Sequence, residues 1–159
     1  IKASAASDVY NRQIEGTLRS SQVTINTCQI LKDKGYQTDL YIVAIDAVTS
    51  WNYTINRAEL LKEMGDTPRL VPIDKYNYIV NNLVNSVDQI DSAGCFDAIH
   101  IVDRNSKIIY PDNTGRKAAS IMEEKLNVGK WNEMYDDIAN KFFDLQIDML
   151  QTRKKHKGR

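Results

Sequence analysis

Apolar positions along the chain fall into alternating helical and extended runs. Over residues 20–34 a helical pattern carries Val23, Thr27, Ile30 and Leu31 on one side, and Gly35 supplies the left-handed residue that ends such a helix. Leu40-Tyr41-Ile42-Val43-Ala44-Ile45 is an unbroken apolar run, which predicts a strand buried on both faces of a parallel sheet. Over residues 47–64, Val48, Trp51, Ile55, Ala58 and Leu61 recur every three or four positions, and Gly65 closes the run. A connection holding Pro68 and Pro72 leads to a second helix, with Asp74 as the expected N-cap and Tyr76, Ile79, Val80, Leu83, Val87 and Ile90 on one face. Gly94 stops it. Ala98-Ile99-His100-Ile101-Val102 reads as a second strand, Asp103 to Ser106 as a turn, and Lys107-Ile108-Ile109-Tyr110 as an antiparallel return. Residues 114–127 and 134–151 finish as helices, the latter with Met134, Ile138, Phe142, Leu145 and Met149 aligned. Trp51, Tyr76 and Tyr78 are expected in the core. Residues 1–13, with Ala3, Ala5, Ala6 and Val9 at loosely helical spacing, read as the end of a helix. Strand and helix alternation predicts an α/β layer fold, and with no internal repeat or linker the chain is expected to form a single domain over residues 1–159.

Composition narrows the function classes. The 159 residues carry 21 Lys plus Arg against 21 Asp plus Glu, a formal net charge of zero, which argues against a general nucleic-acid grip. No apolar run has the length of a membrane-spanning helix, and the first residues lack the order of a signal peptide, so no membrane partner is expected. Cys28 and Cys95 form no CxxC and suggest neither a disulfide framework nor a zinc site, which fits a reducing, cytoplasmic setting. The chain opens on Ile1 rather than methionine, as expected of part of a longer product.

Three features bear on chemistry. Glu15, Gly16, Thr17 and Arg19 follow a short strand-like stretch and precede a helix, where an open α/β sheet places ligand-binding groups. A Gly and a Thr at such a junction are equally ordinary turn chemistry. Arg57 lies opposite the Val48, Trp51 and Ile55 stripe of its helix, and Arg69 falls in the proline-bounded loop that follows. Two arginines so placed suit the lid that small kinases close over a transferring phosphoryl group, and they suit a solvated surface as well. His100 has no second His, Cys or carboxylate at ligand spacing and reads as a satisfied core histidine; no metal site is expected. Cys95 reads as a small buried hydrophobe. The basic tail over residues 153–159 reads as a solvated helix end.

Taken in order, Ile14-Glu15-Gly16-Thr17-Leu18-Arg19, Gln29-Ile30-Leu31-Lys32 with Lys34-Gly35-Tyr36, Arg57-Ala58-Glu59-Leu60, and Pro68-Arg69 followed by Ile79-Val80-Asn81-Asn82-Leu83-Val84 resemble the zeta toxin family, nearest its streptococcal, pneumococcal-type members, over about residues 7–149. The resemblance implies a P-loop kinase-like fold and the toxin half of a bacterial toxin–antitoxin pair. It implies transfer of the γ-phosphoryl of ATP or GTP, with Mg²⁺, to the 3′-hydroxyl of UDP-N-acetylglucosamine, blocking cell-wall synthesis. By the same resemblance Glu15, Thr17 and Arg19 bind the sugar nucleotide, Arg57 and Arg69 are the catalytic lid arginines, and a cognate antitoxin is the protein partner.

The departures from the family pattern are as informative. A Walker A loop needs GxxxxGK followed by Ser or Thr, and no two of the seven glycines stand five apart. In the family that loop and the catalytic Asp precede the EGTLR stretch, which here has fourteen residues before it. The expectation is that the first strands and the Walker A loop are missing, with two or three strand–helix units of roughly 30 residues each absent, and that a companion N-terminal fragment is a possible partner. Alone, the chain is expected to be catalytically inactive. The alternatives are a non-catalytic truncated toxin that binds UDP-sugars or an antitoxin, and a ligand sensor built on a PAS-like hairpin over Ile101 to Tyr110.

Overall fold

The computed structural model describes residues 13–157, with side chains through Met149. Helix α1 (Ser21–Asp33) leads through Gly35, whose φ of 79° requires no Cβ, into β1 (Asp39–Val43). Two helices follow, α2 (Ala47–Glu63) and α3 (Ile73–Ala93), and then β2 (Ala98–Val102) and β3 (Ile108–Tyr110). Helices α4 (Ala118–Leu126) and α5 (Val128–Lys157) end the described chain. The sheet has the order β1-β2-β3. Strands β1 and β2 run parallel with Tyr41 opposite His100 and Val43 opposite Val102, and β3 returns antiparallel with Tyr110 opposite Ile101. A parallel pair joined through helices is the product of a crossover connection and departs from the antiparallel meander of a PAS-like sensor.

Helix α3 ties two cores together because its apolar stripe is continuous along its length. Its Val87 packs with Ile42, Ala44 and Ile101 of the sheet and with Ala118, Ile121, Met122 and Leu126 of α4. Nearer its start, Ile73 and Val80 join Val48 and Trp51 of α2 and Trp131, Ala139 and Phe142 of α5. Aromatic rings dominate this second core: Trp51 lies 6.0 Å from Trp131 and 5.4 Å from Phe142, both edge-on. Such pairs are worth about 0.5–1.5 kcal/mol each beyond the area they bury. Tyr76 Oη donates to the Ala47 carbonyl at 2.8 Å and fixes the start of α2 against α3.

Several expectations are corrected. The apolar run of β1 is covered on one face only. Ile42 is buried under α3 and α4, whereas Tyr41 and Val43, pointing to the opposite side, are 58% and 61% exposed. His100 shares that open face and stacks on Tyr41 at 4.7 Å, with its Nδ1 buried and lacking a hydrogen-bond partner, so it is no satisfied core histidine. Val23 and Ile30 face solvent, because α1 lies beside α3 at the margin of the layer and buries Cys28 instead. Pro72, not Asp74, occupies the N-cap position of α3, with no side-chain cap hydrogen bond; Asp74 sits in the first turn, where the helix dipole favours its charge. Tyr78 is exposed. Helix α4 starts at Ala118 because Asp112 holds Thr114 and Arg116 in a preceding turn. Helix α5 starts six residues early, directly after Asn127 ends α4 at φ 52°, and so brings Trp131 inward and leaves Met134 exposed. The helix expected at the start of the chain falls almost wholly on residues 1–12, and the side chains of the basic tail also lie outside the described residues.

Candidate functional site

The segment before α1 is held by one side chain. Leu18 packs against the sheet-side core while its backbone adopts φ 52°, a left-handed conformation that costs a branched residue about 1–2 kcal/mol. With Leu18 turned inward, Glu15, Thr17 and Arg19 are all exposed. Backbone strain of this kind gathers at functional sites, which favours a ligand-binding reading of the segment over plain turn chemistry. Ser20 follows as the N-cap of α1, its Oγ accepting from Val23 N at 3.4 Å, so Arg19 stands beside a helix N-terminus. That end carries partial positive charge and adds to the attraction for an anion.

Arg57 and Arg69 belong to the aromatic core's outer surface. Ile55, two residues before Arg57, and Leu70 and Val71, directly after Arg69, all pack on the cluster of Trp51 and Trp131, while both arginines remain exposed. The loop over residues 64–72 therefore anchors on the same cluster as Ile55 of α2. Among the described residues, ion pairs engage Lys32, Lys62, Lys125 and Arg116, and none engages Arg19, Arg57 or Arg69. Unpaired guanidiniums of this kind are available to phosphate oxygens. The five candidate residues thus form two groups, Glu15, Thr17 and Arg19 on the sheet-side core and Arg57 and Arg69 on the helical core. No hydrogen bond or ion pair joins the groups among the described residues.

The acids that leave the sheet at the carboxyl ends of β1 and β2 are occupied by backbone. Asp46 caps α2 through Thr49 N at 2.9 Å, and Asp103 accepts from Asn105 N and Lys107 N at 2.8 and 3.0 Å. The described residues contain no cluster of three or more His, Cys, Asp or Glu suited to a metal ion. Sequence reasoning missed Tyr53 and Arg104. Arg104 Nη1 donates to Tyr53 Oη at 3.4 Å, a link between α2 and the loop after β2 that no local spacing announces.

The opposite end of the sheet is a structural latch. Asp97 accepts from Lys32 Nζ at 2.6 Å and from Thr38 N at 2.7 Å, tying α1 to the starts of β1 and β2. The hydrogen bond from Lys32, then that from the Thr38 backbone, hold its carboxyl below the ordinary range. Burial, with Cys28 alongside, pushes the Cys95 thiol up to about 11, too high for a nucleophile at neutral pH. A cleft of about 370 Å³ lined by Asp91, Phe96, His100 and Tyr110 opens here. It lies at the amino end of β2, away from Arg104. Among the described residues no helix is long and apolar enough to cross a membrane.

Comparison with known proteins adds a frame to this geometry. The zeta toxin family model matches residues 1–115. The toxin PezT of Streptococcus pneumoniae is 31% identical over 126 residues, which are 79% of this chain and 50% of PezT. The toxin zeta of Streptococcus pyogenes is 32% identical over 102 residues, 64% of this chain and 36% of that protein. The chain thus spans about half the length, or less, of the curated relatives it matches. A chain solved in the structural characterisation of the PezAT chromosomal toxin–antitoxin system of Streptococcus pneumoniae superposes with a TM-score of 0.62 at 31% identity. The overlap covers 74% of this chain and 45% of that one.

Proposed function

The chain belongs to the zeta toxin family, and from that premise we propose that it carries the acceptor site and lid of a toxin kinase acting in the cytoplasm. Its layered α/β architecture is the P-loop kinase-like fold of that family, over the portion the chain spans. The reaction proposed is transfer of the γ-phosphoryl group of ATP or GTP to the 3′-hydroxyl of UDP-N-acetylglucosamine. The phosphate–oxygen bond to the nucleoside diphosphate breaks, the bond to the sugar oxygen forms, and the hydroxyl proton passes to the catalytic Asp that the family carries ahead of its EGTLR stretch. Loss of that sugar nucleotide blocks cell-wall synthesis.

The observation that carries the reading is the set Arg19, Arg57 and Arg69, exposed and without ion pairs among the described residues, with the strained Leu18 directly before Arg19. Arg19 offers a guanidinium fork to the diphosphate, while Glu15 accepts and Thr17 donates or accepts hydrogen bonds from hydroxyl groups. Arg57 and Arg69 neutralise charge spread over the transferring group, a role whose loss costs on the order of 10³ or more in turnover. No residue of this chain is assigned as the base, and the sequence lacks the Walker A spacing that would cradle a triphosphate. The chain by itself is therefore an inactive piece that holds the sugar nucleotide, with a cognate antitoxin as protein partner of the toxin.

The test is calorimetric titration of UDP-N-acetylglucosamine into the purified chain, together with a phosphoryl-transfer assay using labelled ATP. Saturable binding that Arg19→Ala abolishes, without label transfer, is the expected result. Binding indifferent to Glu15→Gln, Thr17→Val and Arg19→Ala overturns the acceptor site, and transfer by the chain alone overturns its inactivity.

A further inference from the structure

We infer that Arg104 and Tyr53 form, with Arg57, a binding site for the phosphate chain of a nucleotide. The inference rests on the functional reading only in taking from it that phosphates meet Arg57.

Arg104 is presented on a rigid support. It follows the carboxyl end of β2, in a loop closed by the Asp103 N–H donating to Lys107 O at 2.9 Å and the Ser106 N–H donating to Asp103 O at 3.0 Å. The Asp103 carboxylate is spent on the Asn105 and Lys107 N–H groups of the same loop, so it braces the turn and does not chelate Arg104. Open α/β sheets bind ligands outside these carboxyl ends. Helix α2 leaves the same end of the neighbouring strand, since Val43 pairs with Val102 directly before the two departures.

The side chain then reaches across to α2. Arg104 Nη1 donates to Tyr53 Oη at 3.4 Å, and Arg57 stands one turn further along the same helix face. Tyr53 is 49% exposed, so core packing does not explain its place. With its oxygen accepting from Arg104, its own proton remains free to donate to an anion. No ion pair engages Arg104 or Arg57 among the described residues. The guanidinium of Arg104, held at Tyr53, and that of Arg57 one turn along α2 add positive potential beyond the Asp103 carboxylate, which the Lys107 and Asn105 N–H groups already hold, and they match the spread oxygens of a polyphosphate. The diphosphate of a sugar nucleotide and the triphosphate of a donor share this chemistry.

The experiment is calorimetric titration of inorganic triphosphate, ATP and UDP-N-acetylglucosamine into the wild-type chain and into Arg104→Ala, Arg104→Lys, Tyr53→Phe and Arg19→Ala, with circular dichroism confirming the fold. Arg104→Ala should weaken triphosphate binding by roughly ten- to a hundredfold, the span of one charge-assisted hydrogen bond. Arg104→Lys should restore part of it, because the charge returns without the fork, and Tyr53→Phe should weaken it less. A parallel loss with ATP or with the sugar nucleotide identifies the source of the phosphates. Unchanged triphosphate affinity in folded Arg104→Ala, or no triphosphate binding by the wild-type chain, overturns the inference. Triphosphate binding that depends on Arg104, without any binding of UDP-N-acetylglucosamine, supports it while overturning the acceptor site.

Discussion

Trp131 Nε1 donates to Asn77 Oδ1 at 2.8 Å, joining the first turn of α5 to the start of α3. The indole is fully buried and touches the rings of Trp51, Tyr76 and Tyr135. It is thus the hub of the core on which helix α2, bearing Arg57, and the loop bearing Arg69 rest.

Replacing that hub should destabilise the whole fold. Trp131→Ala is expected to cost about 3–5 kcal/mol, through lost burial and the cavity left behind. Trp131→Phe keeps part of the packing and loses one hydrogen bond, for about 0.5–1.5 kcal/mol from that bond, because the Asn77 carbonyl oxygen still accepts from Asn81 Nδ2 at 2.9 Å. Urea unfolding measures both, and a loss below about 1 kcal/mol for the alanine variant would contradict this role. Because α3 runs through both cores, fluorescence and circular dichroism should report one shared transition.

The latch at Asp97 predicts an acid limit to stability. Its carboxyl is lowered by the Lys32 hydrogen bond and then by the Thr38 N–H, so its contribution is complete above the unfolded value of about 4. It is lost as pH falls through the lower folded value. Lys32 is raised by the same bond, so its contribution persists until pH climbs above the ordinary lysine range. Asp97→Asn should lower the melting temperature at neutral pH and flatten its fall in acid. A variant whose melting curve parallels that of the wild type from acid to neutral pH would contradict the latch.

The open face of the sheet predicts self-association. Tyr41 and Val43 are exposed apolar residues on β1, an edge strand of the sheet among the described residues, and such edges pair with other chains. Val43→Lys and Tyr41→Lys should shift sedimentation towards monomer at equal concentration. A wild-type chain that stays monomeric as concentration rises runs against this expectation.

Where one side chain pattern answered to one neighbour, the fold was legible. The stripe from Val48 to Leu61 and the one from Tyr76 to Ile90 mark the buried faces of α2 and α3, since each helix meets a broad core. The run from Leu40 to Ile45 misled because composition reports what a face can bury, while coverage depends on which helices pack there. Trp131 was invisible to periodicity for a different reason: the left-handed Asn127 lets α5 begin directly after α4, and nothing in the apolar spacing announces that junction. At the candidate site, residue types and order were readable in Glu15, Thr17, Arg19, Arg57 and Arg69. Tyr53 and Arg104 were not, because their link crosses between a helix and a hairpin loop that lie 51 positions apart.

The most direct measurement is amide chemical-shift mapping of the labelled chain as UDP-N-acetylglucosamine is added. The account predicts saturable shifts at Gly16, Thr17, Leu18 and Arg19 that vanish in Arg19→Ala. Shifts confined to the cleft of Phe96, His100 and Tyr110, or no shifts at all, would contradict it.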